Sequence, residues 1–461
     1  MMFPRLTFIP HLDLPPLVSV VSGFIVSFIP LLLILYYHEL KRRAEASSPK
    51  GCRRMGMPAG LSNLSDQYVY GTDGVRRGQK QPANKIRIKA LMTYPIKSCR
   101  GIELPTAKVE TTGIAYDRTF CFAEYVEESE GLDGEKKEAH WAARTMRDAK
   151  YRRMTLIIPE IWLPDPSSPS YSPRSPNVLS KGVLVIRFPR EIAPGSGIKG
   201  HLLSIAMKLG LADNEERFQV PLHPPPGHDY PSQKLKVWSD YPLAFDYGKH
   251  VPESLARFVG ATKRFSLLRI DPEYFRKMGR CAPPKDELGY QAETALADVY
   301  PLNLQNISSV RDIGKRVASS IPQLSVIRFR PNVIIEGVPA YDEDDWKKIE
   351  VIPRKLHFNR HFTTPEEDKP EKTAETKAQD EATLVHVVCR TPRCRLPNVD
   401  PETGVRHPVE PDKTMRSFRC IDEGFSAKAC LGMQLVPAVK EFELHIGDEI
   451  RVLERGEHFY L

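Results

Sequence analysis

The distribution of apolar residues divides the chain into an uncharged N-terminal run and a long body of short alternating segments. Leu17 to Tyr37 (LVSVVSGFIVSFIPLLLILYY) is 21 residues without a charge, about what a helix needs to span the hydrocarbon core of a bilayer. Only Arg5 precedes it, whereas Lys41, Arg42, Arg43, Lys50, Arg53 and Arg54 follow. The positive-inside rule then leaves the large C-terminal part in the cytosol. Pro30 predicts no more than a kink in a membrane helix. Ala44-Glu45-Ala46 has the form of a cleavage site, but a signal peptide carries its basic residues before a shorter apolar run, so the pattern favours an uncleaved anchor. Length and flanks suit the mitochondrial outer membrane and the endoplasmic reticulum alike.

Residues 44–84 show no sustained period and are rich in Gly, Ser, Asn and basic side chains, which predicts a flexible tether. From Lys85 onward the pattern becomes β-rich. IRIKALMTYPIKS, TFCFAEYV, MTLIIPEIWL, GVLVIRFP, KLKVWSD and SVIRFRPNVIIEG are short runs punctuated by Pro and Gly, so the body is expected to be mainly β with some α. Helices are expected over Leu202–Leu209, Glu253–Val259 and Val310–Ser319. Two stretches break the pattern, Pro164–Pro176 (PDPSSPSYSPRSP) and Thr363–Ala382 (TTPEEDKPEKTAETKAQDEA). Neither carries enough apolar surface to order itself, so both are expected to be disordered inserts.

Composition changes this picture little. Sixty-six Lys+Arg against 58 Asp+Glu give +8, too small an excess over this length to imply a nucleic-acid partner. The eight cysteines are irregularly spaced and form no C-x-x-C pair, which fits reduced thiols facing the cytosol. There is no G-x-G-x-x-G after a strand and no C-x-x-C-H, hence no nucleotide or haem motif of the chain's own.

Four segments carry candidate chemistry. Tyr94-Pro95-Ile96-Lys97-Ser98-Cys99-Arg100-Gly101 ends a strand in a turn that offers a cation, a hydroxyl and backbone amides, the equipment of a phosphate site. Tyr116-Asp117-Arg118 sets an arginine at the entrance of another strand. In Arg328-Phe329-Arg330-Pro331-Asn332, Arg330 can fork onto an anion while Asn332 both donates and accepts. Each of these is also compatible with an ordinary structural turn. The fourth is more specific: Cys389-Arg390-Thr391-Pro392-Arg393-Cys394-Arg395 places a cysteine between two arginines, ahead of the turn Asp400-Pro401-Glu402-Thr403-Gly404. Flanking cations favour the thiolate that a soft metal requires.

Taken in order, Y-P-I-K-S-C-R-G, D-R, R-F-R-P-N and R-C-x-L-x-x-V-D-P-E-T-G resemble the MOSC family, including the mitochondrial amidoxime-reducing components, from about Lys85 to Leu453. Val237-Trp238-Ser239-Asp240, Ala297-Asp298-Val299-Tyr300-Pro301-Leu302, Ser417-Phe418-Arg419, Leu431-Gly432-Met433-Gln434 and Ile446-Gly447-Asp448-Glu449-Ile450 agree with it. After the anchor in residues 1–43 and the tether over 44–84, which the pattern itself predicts, the resemblance implies a MOSC N-terminal β-barrel over 85–245 and a MOSC β-barrel domain over 246–461, and it does not account for the tether or the two inserts. It implies a molybdenum cofactor, with Cys394 as the catalytic metal ligand. Lys97, Ser98, Arg118, Arg330, Asn332, Thr391, Pro392, Arg393 and Gln434 fall on its pterin-contacting positions. Cys389 becomes a supporting thiol, and pyridoxal phosphate, which the sulfurase relatives bind through a separate domain, is not expected.

The implied activity is two-electron reduction of N-hydroxylated small molecules, amidoximes and hydroxylamines, with electrons from cytochrome b5 and its NADH-dependent flavin reductase. Family precedent favours the mitochondrial outer membrane. A cofactor carrier, or a persulfide sulfur-transfer protein using Cys394, is the alternative. The sequence departs from the family at Ile313 and Gly314, where an Asn-Ser pair is usual, and at Met433, where glutamine is common.

Overall fold

The computed structural model describes residues 48–68, 85–130, 136–193, 195–227, 229–354 and 382–460, with scattered helical positions between residues 23 and 37. The expected span 17–37 lies mostly outside the described residues, and the charged insert 363–382 almost wholly so. Among the described residues no helix is long and apolar enough to cross a membrane. Those described near the N-terminus, including Val26, Phe28, Ile29, Leu31, Ile34, Leu35 and Tyr36, are exposed.

The body is mainly β with a few helices, built on two closed strand assemblies. Five strands, Phe120–Val126, His140–Ala143, Ser232–Lys236, Leu243–Asp246 and Phe265–Ile270, close into a small barrel. Its filling is the alternate-residue set Cys121, Ala123, Trp141, Leu235, Ala244, Leu268 and Ile270, as a two-residue period requires. The second assembly is a ring of seven strands: Ile86–Thr93, Leu302–Asn306, Val333–Glu336, Trp346–Ile352, Thr383–Pro392, Cys430–Pro437 and Glu449–Arg455. It closes because Ile86–Thr93 pairs with both Val333–Glu336 and Glu449–Arg455. The helix Ile307–Arg316 lies on its outside, burying Ile307, Val310 and Ile313 against Ala90, Met92, Ile334 and Leu431. Each such side chain contributes about 1.5–3 kcal/mol.

The expected helices appear over Gly197–Lys208, Glu253–Val259 and Ile307–Arg316. The run SVIRFRPNVIIEG is a strand only from Val333; Val326–Phe329 is a 3-10 turn, capped by Ser325 Oγ accepting from the Ile327 amide at 3.3 Å. The sheets also cross the expected division at 245/246. Leu243–Asp246 and Phe265–Ile270 belong with the N-terminal barrel, whereas Ile86–Thr93 completes the C-terminal ring.

Residues 48–68 of the expected tether and the insert 164–176 are structured, in part through each other. Within 44–84, Cys52–Arg54 pairs with Trp162–Pro164. Asp165 N donates to Gly51 O at 2.9 Å, Gly51 N to Ser170 Oγ at 2.8 Å, and Asn177 Nδ2 to Lys50 O at 3.0 Å. Farther on, the Gln67 carboxamide accepts from Val326 N at 3.0 Å. Backbone pairing between the two polar segments replaces the apolar burial that neither has alone.

Two consequences can be measured by equilibrium unfolding. Gly432, at φ +76°, sits where an added Cβ would meet the Leu304 carbonyl oxygen at 2.5 Å, so Gly432→Ala should cost roughly 2–4 kcal/mol; an unchanged midpoint would show that the strand can shift. Glu343 is buried and accepts from Asn306 Nδ2 and Ser309 Oγ, and burial with neighbouring Asp344 raises its pKa to about 7. The folded chain thus keeps a proton that the unfolded glutamate releases near its ordinary value, so stability falls as pH rises from about 4.5 to 7 and then levels. Glu343→Gln should remove that slope, worth roughly 1–3 kcal/mol across the window.

Candidate functional site

A cleft of about 740 Å³ opens between the barrel and the ring, and all ten site residues expected from sequence line it. They come from five places. Lys97 and Ser98 lie on the turn between the ring strand Ile86–Thr93 and its antiparallel partner Ile102–Leu104, where Lys97 N donates to Phe120 O of the barrel at 2.8 Å. Arg118 is held against that turn by its own amide, which donates to Tyr94 O at 2.7 Å. Arg330 and Asn332 precede the strand Val333–Glu336. Thr391, Pro392, Arg393 and Cys394 stand where the strand Thr383–Pro392 ends, and Gln434 lies on its neighbour Cys430–Pro437. Pro392 has no amide hydrogen to continue a ladder, and two residues later Cys394 faces the cleft, half-buried.

One hydrogen-bonded chain joins these places. Arg393 donates from Nε to Leu431 O at 2.8 Å, from Nη1 to Phe329 O at 2.9 Å, and from Nη2 to Asn303 Oδ1 and Gln305 Oε1, each at 3.1 Å. Asn303 Nδ2 donates to Thr391 Oγ1 at 2.8 Å, and its backbone amide donates to Asn332 Oδ1 at 3.1 Å. Asn332 Nδ2 donates to Met92 O at 3.2 Å, and its Oδ1 also accepts from Arg118 at 3.4 Å. Arg118 bonds Asp117 and Arg330 O, and Arg330 Nη1 donates to Cys99 O at 2.7 Å. The two guanidiniums flank the Tyr94 ring, at 4.8 and 4.2 Å from its centroid. Asn332, Thr391 and Arg393 therefore line the cleft with polar groups already engaged by the protein.

A family model described as the MOSC N-terminal beta barrel domain matches residues 85–157. Mitochondrial amidoxime-reducing component 1 of Danio rerio is 29% identical over 209 residues, 44% of this chain and 52% of that protein. Mitochondrial amidoxime reducing component 2 of Rattus norvegicus is 23% identical over 210 residues, again 44% and 52%. Residues 85–157 thus match the MOSC N-terminal barrel, and the chain resembles the amidoxime-reducing components. Its match spans about half the length of those two relatives, while component 1 of Xenopus laevis aligns at 20% identity over 83% of this chain and 87% of that protein.

The cleft suits an anionic ligand. Nine lysines and arginines line it against two carboxylates, Asp240 and Asp298. Buried Lys97 donates to Asp298 Oδ1 and to Leu296 O, both at 2.7 Å; burial pushes its pKa down and Asp298 opposes the shift. Burial, then the neighbouring Arg118 charge, lowers the Arg330 pKa to about 10, and its Nη2 is buried without a hydrogen-bond partner among the described residues. Thr294 Oγ1, also on the cleft, is buried and unpartnered in the same sense. Ser98 Oγ accepts from Met146 N at 3.1 Å and keeps its own hydrogen to donate. Such donors fit a phosphate-bearing group. Among the described residues no three His, Cys, Asp or Glu side chains gather as a metal site.

Of the eight cysteines, Cys394 alone lines the cleft. Cys99, Cys121, Cys389 and Cys430 are buried, and burial pushes each thiol pKa up, those of Cys121 and Cys430 to about 12. Burial lowers the Arg393 pKa to about 10, and the nearby Cys394 sulfur counters it. The departures from the family fall elsewhere: Ile313, Gly314 and Met433 do not line the cleft.

Sequence reasoning missed Asn303, which joins the segments, and the cleft residues Asp298, Arg147 and Arg276. Asp298 lay within a matching segment, but nothing local marked it as the partner of Lys97. A backbone signal was also hidden: of eight non-glycine residues at positive φ, Ser98, Arg118, Trp238 and Arg330 line the cleft, and such strain gathers at functional sites. Inorganic pyrophosphate should bind this cleft, and Arg330→Gln should weaken it by roughly tenfold in calorimetric titration; equal affinities would remove Arg330 from anion binding.

Proposed function

We propose that this protein is a molybdenum-cofactor oxidoreductase that reduces N-hydroxylated compounds such as amidoximes and hydroxylamines. The observation that carries this reading is the convergence of Cys394 with the Lys97, Ser98, Arg118 and Arg330 donors on one cationic cleft. Cys394 would supply the thiolate to the metal, and Arg330, Arg118, Lys97 and Ser98 would hold the pterin phosphate. Thr391, Pro392, Arg393, Asn332 and Gln434 would contact the pterin, the first four also bracing the Cys394 loop. When bound, the cofactor supplies two-electron redox chemistry and an oxygen acceptor. Two electrons and two protons convert an N–OH to N–H with release of water.

Electrons would come from cytochrome b5 and its NADH-dependent flavin reductase. The apolar run 17–37 would hold the body on the cytosolic face of a membrane, the mitochondrial outer membrane by analogy with relatives named mitochondrial.

The test is molybdenum and pterin content of the full chain, wild type against Cys394→Ser, with benzamidoxime reduction driven by a chemical electron donor. Stoichiometric metal with turnover, abolished in the variant, is the expected result. Metal without turnover would replace the reductase by a cofactor carrier, and absence of metal from the wild type would overturn the reading.

A further inference from the structure

The helix Gly197–Lys208 stands apart from the chemistry and shows an uncovered apolar stripe. Ile198, Leu202, Ile205 and Leu209 are 80%, 61%, 54% and 67% exposed. At about 100° per residue they fall within roughly 60° of one another, so they form one face. The opposite face carries buried Gly200 and half-buried Leu203 and Met207. Lys199 and Lys208 lie roughly 90° to either side of the stripe, with His201 near Lys208, and the helix contains no acidic residue.

Four aliphatic side chains on one exposed face would be costly to leave in water, at about 25 cal/mol for each Å² of apolar surface. Leu211, 65% exposed, extends the patch past the helix end. Its position in the chain's architecture indicates what covers it: Tyr36 Oη, at the end of the uncharged run 17–37, donates to Gly210 O at 3.2 Å. Tyrosines gather where membrane helices leave the bilayer, and lysines beside an apolar stripe suit anionic headgroups while their stems lie along the hydrocarbon boundary.

We propose that Gly197–Lys208 lies in the membrane surface as an interfacial helix, with Ile198, Leu202, Ile205 and Leu209 directed into the headgroup and acyl boundary of an anionic bilayer. This rests on the anchor reading above and adds a second contact, so that the body is held in one orientation rather than swinging on its N-terminal attachment. Two linked contacts also strengthen each other by raising the effective concentration of the second.

The full chain would be reconstituted in phosphatidylcholine/phosphatidylserine vesicles with and without brominated acyl chains, comparing wild type with Leu202→Trp and, separately, Ile205→Trp. Vesicle flotation is scored alongside tryptophan emission. The proposal expects both variants to float and the added tryptophan to be blue-shifted and quenched about twofold by brominated lipid. Flotation with an unshifted, unquenched added tryptophan would leave the anchor standing, overturn the interfacial helix and assign the stripe to a protein partner. Failure of the wild-type chain to float would overturn both.

Discussion

A buried guanidinium is tolerated only when its donors are met, and Arg393 meets them with groups from two different strands and a turn. The carbonyls of Leu431 and Phe329 and the side chains of Asn303 and Gln305 surround it. Leaving such a charge without partners in the interior costs several kcal/mol, so these elements cannot drift apart without penalty. Cys394 is the next residue, and its place at the cleft follows from how tightly its neighbour is held. The turn behind it is fixed as well: Asp400 Oδ1 accepts from the Glu402 amide at 2.8 Å, and Arg328 donates to Asp400 Oδ2 at 2.7 Å.

The same economy of charge explains the division of labour in the cleft. Lys97 has Asp298, Arg118 has Asp117, and Arg276 donates to Asp240 Oδ2 at 2.6 Å. These cations are placed by their acids. Among the described residues Arg330 has no such carboxylate; it donates to the Cys99 carbonyl and leaves one buried nitrogen without a hydrogen-bond partner there. In a low-dielectric setting that is unfavourable for the free protein and favourable for an anion that completes it. The positive φ at Ser98, Arg118 and Arg330 belongs to the same trade, because it presents these side chains at the junction where two closed strand assemblies meet.

The ordered parts of the tether and the proline-rich insert show where reasoning from composition stops. PDPSSPSYSPRSP has nothing to bury, and by itself it would remain unfolded. It is held by hydrogen bonds to residues 50 and 51 and by the strand pairing of Cys52–Arg54 with Trp162–Pro164. Order in each segment depends on a partner more than 100 residues away, and no local pattern reports that.

What the sequence determined by itself was local: alternating apolar residues fix the strands, helical spacing fixes Glu253–Val259, and Lys97, Ser98, Arg118, Arg330 and Cys394 bring cations, a hydroxyl and a thiol to short turn segments. Those properties reside in neighbouring residues, where periodicity and side-chain type act directly. Tertiary structure alone decided that Asn303 would join four segments, that Asp298 would pair with Lys97, and that the strands would sort into a ring and a barrel across the expected boundary. A buried polar group takes its partners from whatever the fold brings within about 3 Å, and that proximity is a property of the closed sheets rather than of any stretch of chain.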